Sequence, residues 1–275
     1  MRIDLHTHSN RSDGTDSPTD LIRHAAEAGL DVVALTDHDV TVGWDEARAA
    51  ANEHGIRFIG GIEISTEIGD HNFHLLAYEP DPTYAPLADE LNRVLSAREA
   101  RIPETLARLA AHGINLTIED VRAQSTAAAS LGRPHVADAM VATGQARDRD
   151  ETFALWLAQG RPGYVHKYSI ELHEAIKLVV AAGGKPVLAH PLARESADMI
   201  STEFFAELQG LGLAGIEVDH LDHGVLERAQ LRGIADDLGL VKTGSSDYHG
   251  TGKGPSFALG ANMTDPEELE KLLGL

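Results

Sequence analysis

The sequence predicts an α/β fold in which a mainly parallel sheet is covered by helices. Apolar strand segments alternate with helical segments, and the strands are almost unbroken apolar runs, as expected for strands buried on both faces. The chain has 275 residues, which suits a (β/α) barrel, because barrels of about 250 residues form one domain. We count seven strands, at about 2–6, 31–36, 57–63, 72–78, 185–189, 214–219 and 240–244.

Helix signals separate these strands. Ser17, Pro18 and Asp20 mark a helix start, because serine caps a helix, proline fits its first turn and an acidic side chain favours its amino end. That helix is expected to end at Gly29. Further helices are predicted at about 43–54, 170–182, 197–208, 225–238 and 266–273.

The third and fourth strands are joined by a turn near Gly69. This turn is too short for a parallel crossover, which needs about a dozen residues, so the two strands should form an antiparallel hairpin. Two registers are compatible with the turn, and they place Glu63 opposite either His74 or Leu76. In both registers Glu63 and His74 share a face, whereas a slip of one residue between them would turn His74 away.

The segment from about 84 to 161 contains helices and no clear strand. The helical stretches lie at about 87–112, with Pro103 as a candidate break, and at 118–124, 134–143 and 151–159. We therefore predict two domains. Residues 1–83 and 162–275 would form the barrel, and residues 84–161 would form a small inserted helical cap domain.

Composition excludes several classes of protein. The formal net charge of −20 argues against binding a long nucleic-acid duplex through its phosphates. No apolar run approaches the roughly 20 residues that cross a membrane, and the amino terminus does not resemble a signal peptide. The chain has no cysteine, so disulfides and thiolate metal sites are excluded and the reducing cytoplasm is the expected location. No oligomeric state is predicted.

Potential metal ligands follow the ends of most predicted strands. His6 and His8 are two residues apart, so in an extended backbone their imidazoles point to one face and can converge on an ion. The carboxyl ends of barrel strands form the rim where active sites lie. The candidate ligands are His6, His8, His38, His74, His190 and His249, with Asp13, Glu63 and Asp247. These are too many for one ion. We predict two or three divalent ions, with manganese preferred and iron or zinc also suited to mixed nitrogen and oxygen ligands.

Most of these residues lie in six short motifs: Asp4-x-His6-x-His8, Ser12-Asp13-Gly14, Thr36-Asp37-His38-Asp39, Gly61-Ile62-Glu63, Ala189-His190-Pro191 and Ser246-Asp247-Tyr248-His249. They resemble the motifs of the polymerase and histidinol phosphatase (PHP) family, and the resemblance extends over the whole chain. It implies a distorted seven-stranded (βα) PHP barrel with a trinuclear metal centre.

The resemblance also implies how the ligands divide among the ions. One ion would be bound by His6, His8, Glu63 and Asp247, a second by Asp13, His38 and His249, and a third by Glu63, His74 and His190. Asp4 and Asp37 would orient imidazoles of neighbouring ligands.

Three further motifs lie in the cap or after it: Gly132-Arg133-Pro134-His135, Gly163-Tyr164-Val165-His166-Lys167 and Glu217-Val218-Asp219-His220-Leu221-Asp222-His223. They resemble the branch of stand-alone PHP phosphoesterases that act on nucleotides, including removal of the 3′-phosphate from nucleoside 3′,5′-bisphosphates. On this resemblance Arg133 and Lys167 would bind phosphate oxygens, and His135 would bind one or protonate the leaving oxygen. Helix capping is the alternative for Arg133 and His135. His220 and His223 would either bind substrate or pack behind the pocket.

The predicted function is metal-dependent hydrolysis of a phosphomonoester, with attack of a metal-bound hydroxide on phosphorus and no covalent enzyme intermediate. Arg133, His135, Lys167 and Asp247 are the predicted catalytic residues, with His190 or water as the alternative acid. The expected partner is a small phosphate ester or nucleotide, with short RNA as a second candidate. The alternatives are a 5′–3′ exonuclease on short RNA, a histidinol-phosphate phosphatase, a metal-bound PHP scaffold without activity, and a metal-storing or regulatory protein.

Overall fold

A nearly closed barrel of seven strands forms the body of the protein. The computed structural model describes residues 1–125, 127–193 and 197–274. Its strands are β1 (Ile3–Asp4), β2 (Val32–Leu35), β3 (Arg57–Ile68), β4 (His71–Tyr78), β5 (Ile170–Glu171), β6 (Lys185–Ala189), β7 (Gly215–Asp219) and β8 (Val241–Gly244). The barrel order is β1-β2-β3-β4-β6-β7-β8, and the short β5 pairs with β3 outside it. A bridge between Thr7 and Tyr248 connects the first and last strands beyond their ends. The predicted seven-stranded barrel is confirmed.

The predicted hairpin is present between β3 and β4. Glu63 lies opposite Leu76, and Ser65 lies opposite His74, which is one of the two registers compatible with the turn. β4 is also antiparallel to β6, whereas the other neighbouring pairs in the barrel are parallel. The direction of β4 therefore distorts the barrel.

The helices are α1 (Pro18–Glu27), α2 (Trp44–His54), α3 (Ala85–Ala100), α4 (Ile102–Ala110), α5 (Ile118–Ala123), α6 (Arg133–Ala142), α7 (Arg149–Thr152), α8 (Leu172–Ala181), α9 (Thr202–Gly210), α10 (Val225–Leu238) and α11 (Pro266–Leu273). A π-helical turn, Phe153–Leu157, follows α7. The Ser17 side chain caps α1 as expected, since its Oγ accepts from Asp20 N at 3.0 Å.

Two predicted helix starts were wrong. Helix α8 begins at Leu172 rather than residue 170, because Ile170 and Glu171 pair with β3 and Glu171 then caps the helix by accepting from Glu174 N at 3.0 Å. Helix α9 begins at Thr202, where the Ser201 side chain caps it. Only a short 3-10 turn, Ala197–Met199, precedes it.

The helices between β4 and β5 pack in two groups. Buried side chains of α3, including Leu87, Leu91 and Val94, belong to the main core between the sheet and its outer helices. The later helices have a separate core that includes Ile102 and Leu157. The cap domain stays a prediction, and this packing favours a boundary after α3 rather than before it.

Apolar side chains fill the barrel. Ile3, Leu5, Val32 and Ile59 form one buried cluster with Tyr78, whose hydroxyl donates to Leu5 O at 3.1 Å. A filled interior leaves only the rims of the barrel for polar chemistry.

Among the helices of the described ranges, none has the length and apolar composition needed to cross a membrane.

One buried ion pair fixes the end of α3 to the barrel rim. The Arg98 guanidinium contacts the Asp39 carboxylate and donates to Ser65 Oγ at 3.0 Å. Asp39 has a positive φ of 59° and accepts from Ser65 N at 2.7 Å. The pair therefore joins α3 to the segments after β2 and within β3.

We expect Arg98→Met to lower the free energy of unfolding by about 3–5 kcal/mol, because it leaves the buried Asp39 carboxylate without its cation. Urea unfolding followed by circular dichroism would measure the change. Arg23→Met is the matched control: Arg23 forms exposed pairs with Asp20 and Glu27, and its loss should leave the free energy of unfolding nearly unchanged. Equal effects of the two substitutions would contradict the assigned role of Arg98.

Candidate metal centre

All nine predicted ligands lie together at the carboxyl-end rim of the barrel. His6, His8 and Asp13 follow β1, and His38 follows β2. Glu63 and His74 come from the β3–β4 hairpin, His190 follows β6, and Asp247 and His249 follow β8. The antiparallel hairpin brings the His74 imidazole onto the Glu63 carboxylate, as both compatible registers require.

Within the described ranges, four overlapping groups of donor atoms have all their members within 4.8 Å of one another. They are His8, Asp13, His38 and His249; His6, Glu63 and His190; His6, His8 and Asp247; and His38, Glu63 and His74. Their union is the predicted set of nine. These groups differ in two ways from the division that the family resemblance implies. His8 belongs to two groups, and Glu63 is grouped with His74 and with His190 in separate groups rather than with both in one.

The Glu63 carboxylate lies in the middle of the cluster. Its Oε2 is 3.2 Å from His6 Nε2, 3.1 Å from His8 Nε2 and 3.2 Å from His38 Nδ1. Its Oε1 is 3.0 Å from His190 Nε2. Burial alone would raise the pKa of Glu63, but the charges of His38, His74 and His6 outweigh burial and hold this pKa well below its usual value.

The other two carboxylates flank the imidazoles on either side. Asp13 Oδ1 is 3.4 Å from His249 Nε2, and Asp13 Oδ2 is 3.7 Å from His38 Nε2. Asp247 Oδ1 is 3.6 Å from His6 Nε2 and 3.4 Å from His8 Nε2. Burial raises the pKa of both carboxyl groups, whereas the interactions of Asp13 with His38 and His249, and of Asp247 with Lys253 and His6, lower it well below the usual value. Both groups are therefore ionised.

Unpaired nitrogen atoms show that the cluster fits metal ions. The buried His6 Nε2, both ring nitrogens of His8 and His38 Nδ1 have no hydrogen-bond partner among the described residues. Buried polar atoms in native proteins are normally satisfied. Imidazole nitrogens left unpaired beside ionised carboxylates are a donor set for divalent metal ions.

A further carboxylate, Glu217 in β7, supports this donor set. Glu217 Oε1 is 3.0 Å from His6 Nδ1, and Oε2 accepts from His190 N at 2.9 Å. Glu217 is fully buried. It fixes the ring of His6 so that Nε2 faces the cluster. We did not predict this role, although an acidic residue inside an apolar strand was a usable signal.

The structure corrects the expectation for Asp4 and Asp37. Asp4 accepts from backbone amides, at 3.1 Å from Ser246 N and 2.8 Å from Gly260 N. Asp37 accepts from Ser9 N at 2.8 Å and from Ser12 Oγ at 2.7 Å. Among the hydrogen bonds of the described residues, both carboxylates bond to backbone amides and hydroxyl groups of the ligand-bearing loops. They hold the loops that carry the ligands rather than the ligand rings.

Three predicted substrate residues lie behind the cavity wall. His220 is fully buried, and its Nε2 is 3.2 Å from Asp247 Oδ2. His223 accepts from Leu192 N at 3.3 Å. His135 accepts from Gly132 N at 2.9 Å and thus caps α6. None of the three lines the cavity, so the geometry favours packing and capping over contact with substrate.

The rim opens into a cavity of about 500 Å³ between the barrel and the later helices. Its wall includes metal-centre residues such as Glu63 and also the cations Arg101, Arg133 and Lys167. Arg133 also lies over the Tyr164 ring, 5.4 Å from its centroid. The predicted cations Arg133 and Lys167 therefore face the same cavity as the ligands.

Arg101 is a cavity cation that sequence reasoning missed. It is buried, and its Nε has no hydrogen-bond partner among the described residues. Burial and the charges of Arg133 and Arg98 lower the pKa of its guanidinium well below the usual value. The position of Arg101 between α3 and α4 carries no sequence signal, because only tertiary packing turns it towards the cavity.

A barrel with this rim cluster defines a metal-dependent hydrolase. The chain belongs to the PHP family, whose PHP domain model matches residues 4–209. It is 34% identical over 252 residues to a 3′,5′-nucleoside bisphosphate phosphatase from Chromobacterium violaceum, covering 92% of this chain and 88% of the relative. It is 32% identical over 248 residues to a 5′-3′ exoribonuclease from Haemophilus influenzae, covering 90% of each.

A solved structure agrees with this membership. A metal-dependent phosphoesterase from Bifidobacterium adolescentis superposes with a TM-score of 0.93 at 35% identity, covering 99% of this chain and 95% of that chain. The chain is therefore a metal-dependent phosphoesterase, as its motifs predict.

We expect Glu217→Gln to weaken binding of Mn²⁺ by about 10–100-fold, because the His6 ring loses the carboxylate that orients it. Calorimetric titration of the metal-free protein with Mn²⁺ would measure this loss. Glu270→Gln, an exposed substitution on α11, should leave affinity unchanged. The assigned role fails if both variants bind Mn²⁺ as the wild type does.

Proposed function

We propose that this phosphoesterase removes the 3′-phosphate of nucleoside 3′,5′-bisphosphates. The observation that carries the proposal is one cavity with two regions suited to phosphate. One region is the metal centre, and the other is the cationic group formed by Arg101, Arg133 and Lys167. A substrate with two phosphates can occupy both regions at once. The phosphatase from Chromobacterium violaceum is named for such a substrate.

We further propose that two or three divalent ions, with manganese preferred, are bound by the predicted set: His6, His8, Asp13, His38, Glu63, His74, His190, Asp247 and His249. When bound, the ions would withdraw charge from the reacting phosphate and activate a water molecule. Glu63 contacts imidazoles with both oxygens, which suits a bridge between ions. Asp247 contributes to catalysis as one of these ligands.

The cationic group would hold the phosphate that is not hydrolysed. A guanidinium buried beside other cations loses hydration and is repelled by its neighbours, so an anion in the cavity stabilises it. Arg133 and Arg101 can each donate two parallel hydrogen bonds to phosphate oxygens, and Lys167 adds a point charge. Lys167 Nζ is already oriented by Ser169 Oγ at 3.0 Å.

The departing 3′-oxygen would take its proton from water. The predicted acid His135 does not line the cavity, and His190 belongs to the metal cluster. Burial lowers the pKa of His135, which favours the neutral ring that caps α6. His135 would thus position Arg133, which begins the same helix.

The positive charge of the cationic group disfavours one alternative substrate and is compatible with another. Histidinol phosphate carries an ammonium group, which the cationic group would repel. Short 5′-phosphorylated RNA remains the second candidate, because it carries phosphates at both positions and a relative is named as a 5′-3′ exoribonuclease.

The expected location stays the cytoplasm, on the ground that the chain has no cysteine.

Phosphate release from the Mn²⁺-loaded protein tests the proposal. Adenosine 3′,5′-bisphosphate, 3′-AMP, 5′-AMP, histidinol phosphate and a short 5′-phosphorylated RNA would be compared. We expect the bisphosphate to have a kcat/KM at least about tenfold above either monophosphate, since a second charged contact contributes about 1.5–3 kcal/mol. Asp13→Ala should abolish release from every substrate.

Arg101→Met serves as the discriminating variant in the same assay. It should raise KM for the bisphosphate and leave hydrolysis of 3′-AMP nearly unchanged, because only the bisphosphate occupies the cationic group. A higher kcat/KM for the RNA than for the bisphosphate would favour the exonuclease function. Equal rates for bisphosphate and 3′-AMP would refute the role of the cationic group.

The preference for bisphosphate should also depend on pH. Burial, together with the charges of Arg98, Arg101 and Arg133, lowers the pKa of Lys167 to about 7. Lys167 is a cation below this pH and neutral above it, so the ratio of kcat/KM for bisphosphate to that for 3′-AMP should fall by about tenfold between pH 7 and pH 9.

Taking the ratio removes the pH effects that both substrates share. Lys167→Arg keeps the positive charge over this range, so its ratio should stay constant. If the kcat/KM ratio of Lys167→Arg fell by the same factor between pH 7 and pH 9, a group other than Lys167 would cause the pH dependence.

A further inference from the structure

The loop that follows β8 returns a lysine to the metal centre. After His249 the chain forms a 3-10 turn, Gly250–Gly252, in which Gly252 N donates to His249 O at 3.1 Å. Thr251 N donates to Thr15 Oγ1 at 2.9 Å. The turn therefore sets the position of Lys253, six residues after Asp247.

The Arg149 guanidinium packs closely against this loop at Gly252. Its Nε and Nη2 each donate to an Asp138 oxygen at 2.6 Å, and its Nη1 donates to Asp13 O at 3.1 Å. A Cβ atom at Gly252 would lie 2.4 Å from Arg149 Nη1, so the close approach requires glycine. The cavity wall around Lys253 is thus held before any substrate enters.

The Lys253 ammonium has two fixed neighbours. It contacts Asp247 Oδ2 and lies 4.7 Å from the centroid of the Phe257 ring. Asp247 Oδ1 instead faces the imidazoles of His6 and His8. Lys253 thus uses the oxygen of Asp247 that points away from these two rings, and the other oxygen stays available to a metal ion.

Lys253 is also open to the cavity. Its side chain is 30% exposed, and it lines the same wall as Asp13, Glu63 and His249. An ammonium has three donors, of which Asp247 Oδ2 takes one. Among the described residues of the wall, the other cations are Arg98, Arg101, Arg133, Arg149 and Lys167, and Arg98 and Arg149 are paired with carboxylates.

We propose that Lys253 is a further catalytic residue, which donates a hydrogen bond to a non-bridging oxygen of the phosphoryl group that reacts at the metal centre. The proposal rests on the proposed function, since it assumes a phosphate ester with its reacting group at this rim. Lys253 keeps its proton throughout and supplies fixed positive charge. A donor held in place before reaction stabilises charge that grows on the phosphoryl oxygens at no cost in reorganisation.

Lys253→Met tests this role, because methionine keeps the length of the side chain and removes the charge. In Mn²⁺-saturated protein we expect kcat to fall by about a hundredfold and the inhibition constant of inorganic phosphate to rise at least about tenfold. Lys253→Arg should recover most of the phosphate affinity. The dissociation constant of Mn²⁺, measured by calorimetry, should change by less than about threefold.

Lys242→Met is the matched control. Lys242 contacts Asp236 and Glu268 at the other end of β8, so its substitution should leave kcat and phosphate inhibition unchanged.

The opposite pattern would overturn the proposal. Unchanged phosphate inhibition with weaker Mn²⁺ binding would mean that Lys253 only positions Asp247, and unchanged kcat with unchanged inhibition would mean that it has no role. Inorganic phosphate carries no leaving group, so its binding tests Lys253 whichever ester the wild type prefers. A failure of the bisphosphate assignment would therefore be distinguishable from a failure of this one.

Discussion

The buried carboxylate of Glu63 is the interaction on which the site depends. It contacts imidazoles from four other places in the chain, including His6, His38 and His190. An ionised carboxylate is costly to bury unless cations surround it. The fold surrounds Glu63 with imidazole donors that can hold metal cations beside it, because Glu63 lies where β3 changes its neighbours, with β2 parallel to its first part and β4 antiparallel to its second part. The reversed β4 supplies His74, and the parallel neighbours supply ligands at their carboxyl ends.

Charge is divided within the cavity in a way that suits a substrate with two anionic ends. The metal centre is rich in carboxylates, among them Glu63, Asp13 and Asp247, and so requires cations. The same cavity is also lined by Arg101 and Lys167, whose charges a bound anion would offset. Lys253 is the exception, since it lies on the carboxylate side, where it is held by Asp247. Bound metal ions would offset the charge of the carboxylates, and a bound anion would offset the charge of Arg101 and Lys167.

The sequence predicted what depends on local pattern. Strand ends and the His6–His8 spacing located the ligand cluster, and the length of the β3–β4 turn reduced the register to two choices. It did not predict where side chains on loops and between helices point, because long-range packing decides this. His135, His220 and His223 therefore lie behind the wall, whereas Arg101 and Lys253, which carried no local signal, face the cavity. Glu217 was recognised as part of a motif but not as the partner of His6.

The reversal of β4 also explains how the cap is connected. β4 runs from the rim to the base, since His74 pairs with Ala189 and Tyr78 pairs with Lys185. Helix α3 then leads back to the rim, where Arg98 meets Asp39. The chain thus enters the cap at the rim, and it returns there through β5, which pairs with the rim half of β3. The predicted cap would thus have both attachment points at one edge of the barrel, and substitutions within it would leave the strands that carry the metal ligands in place.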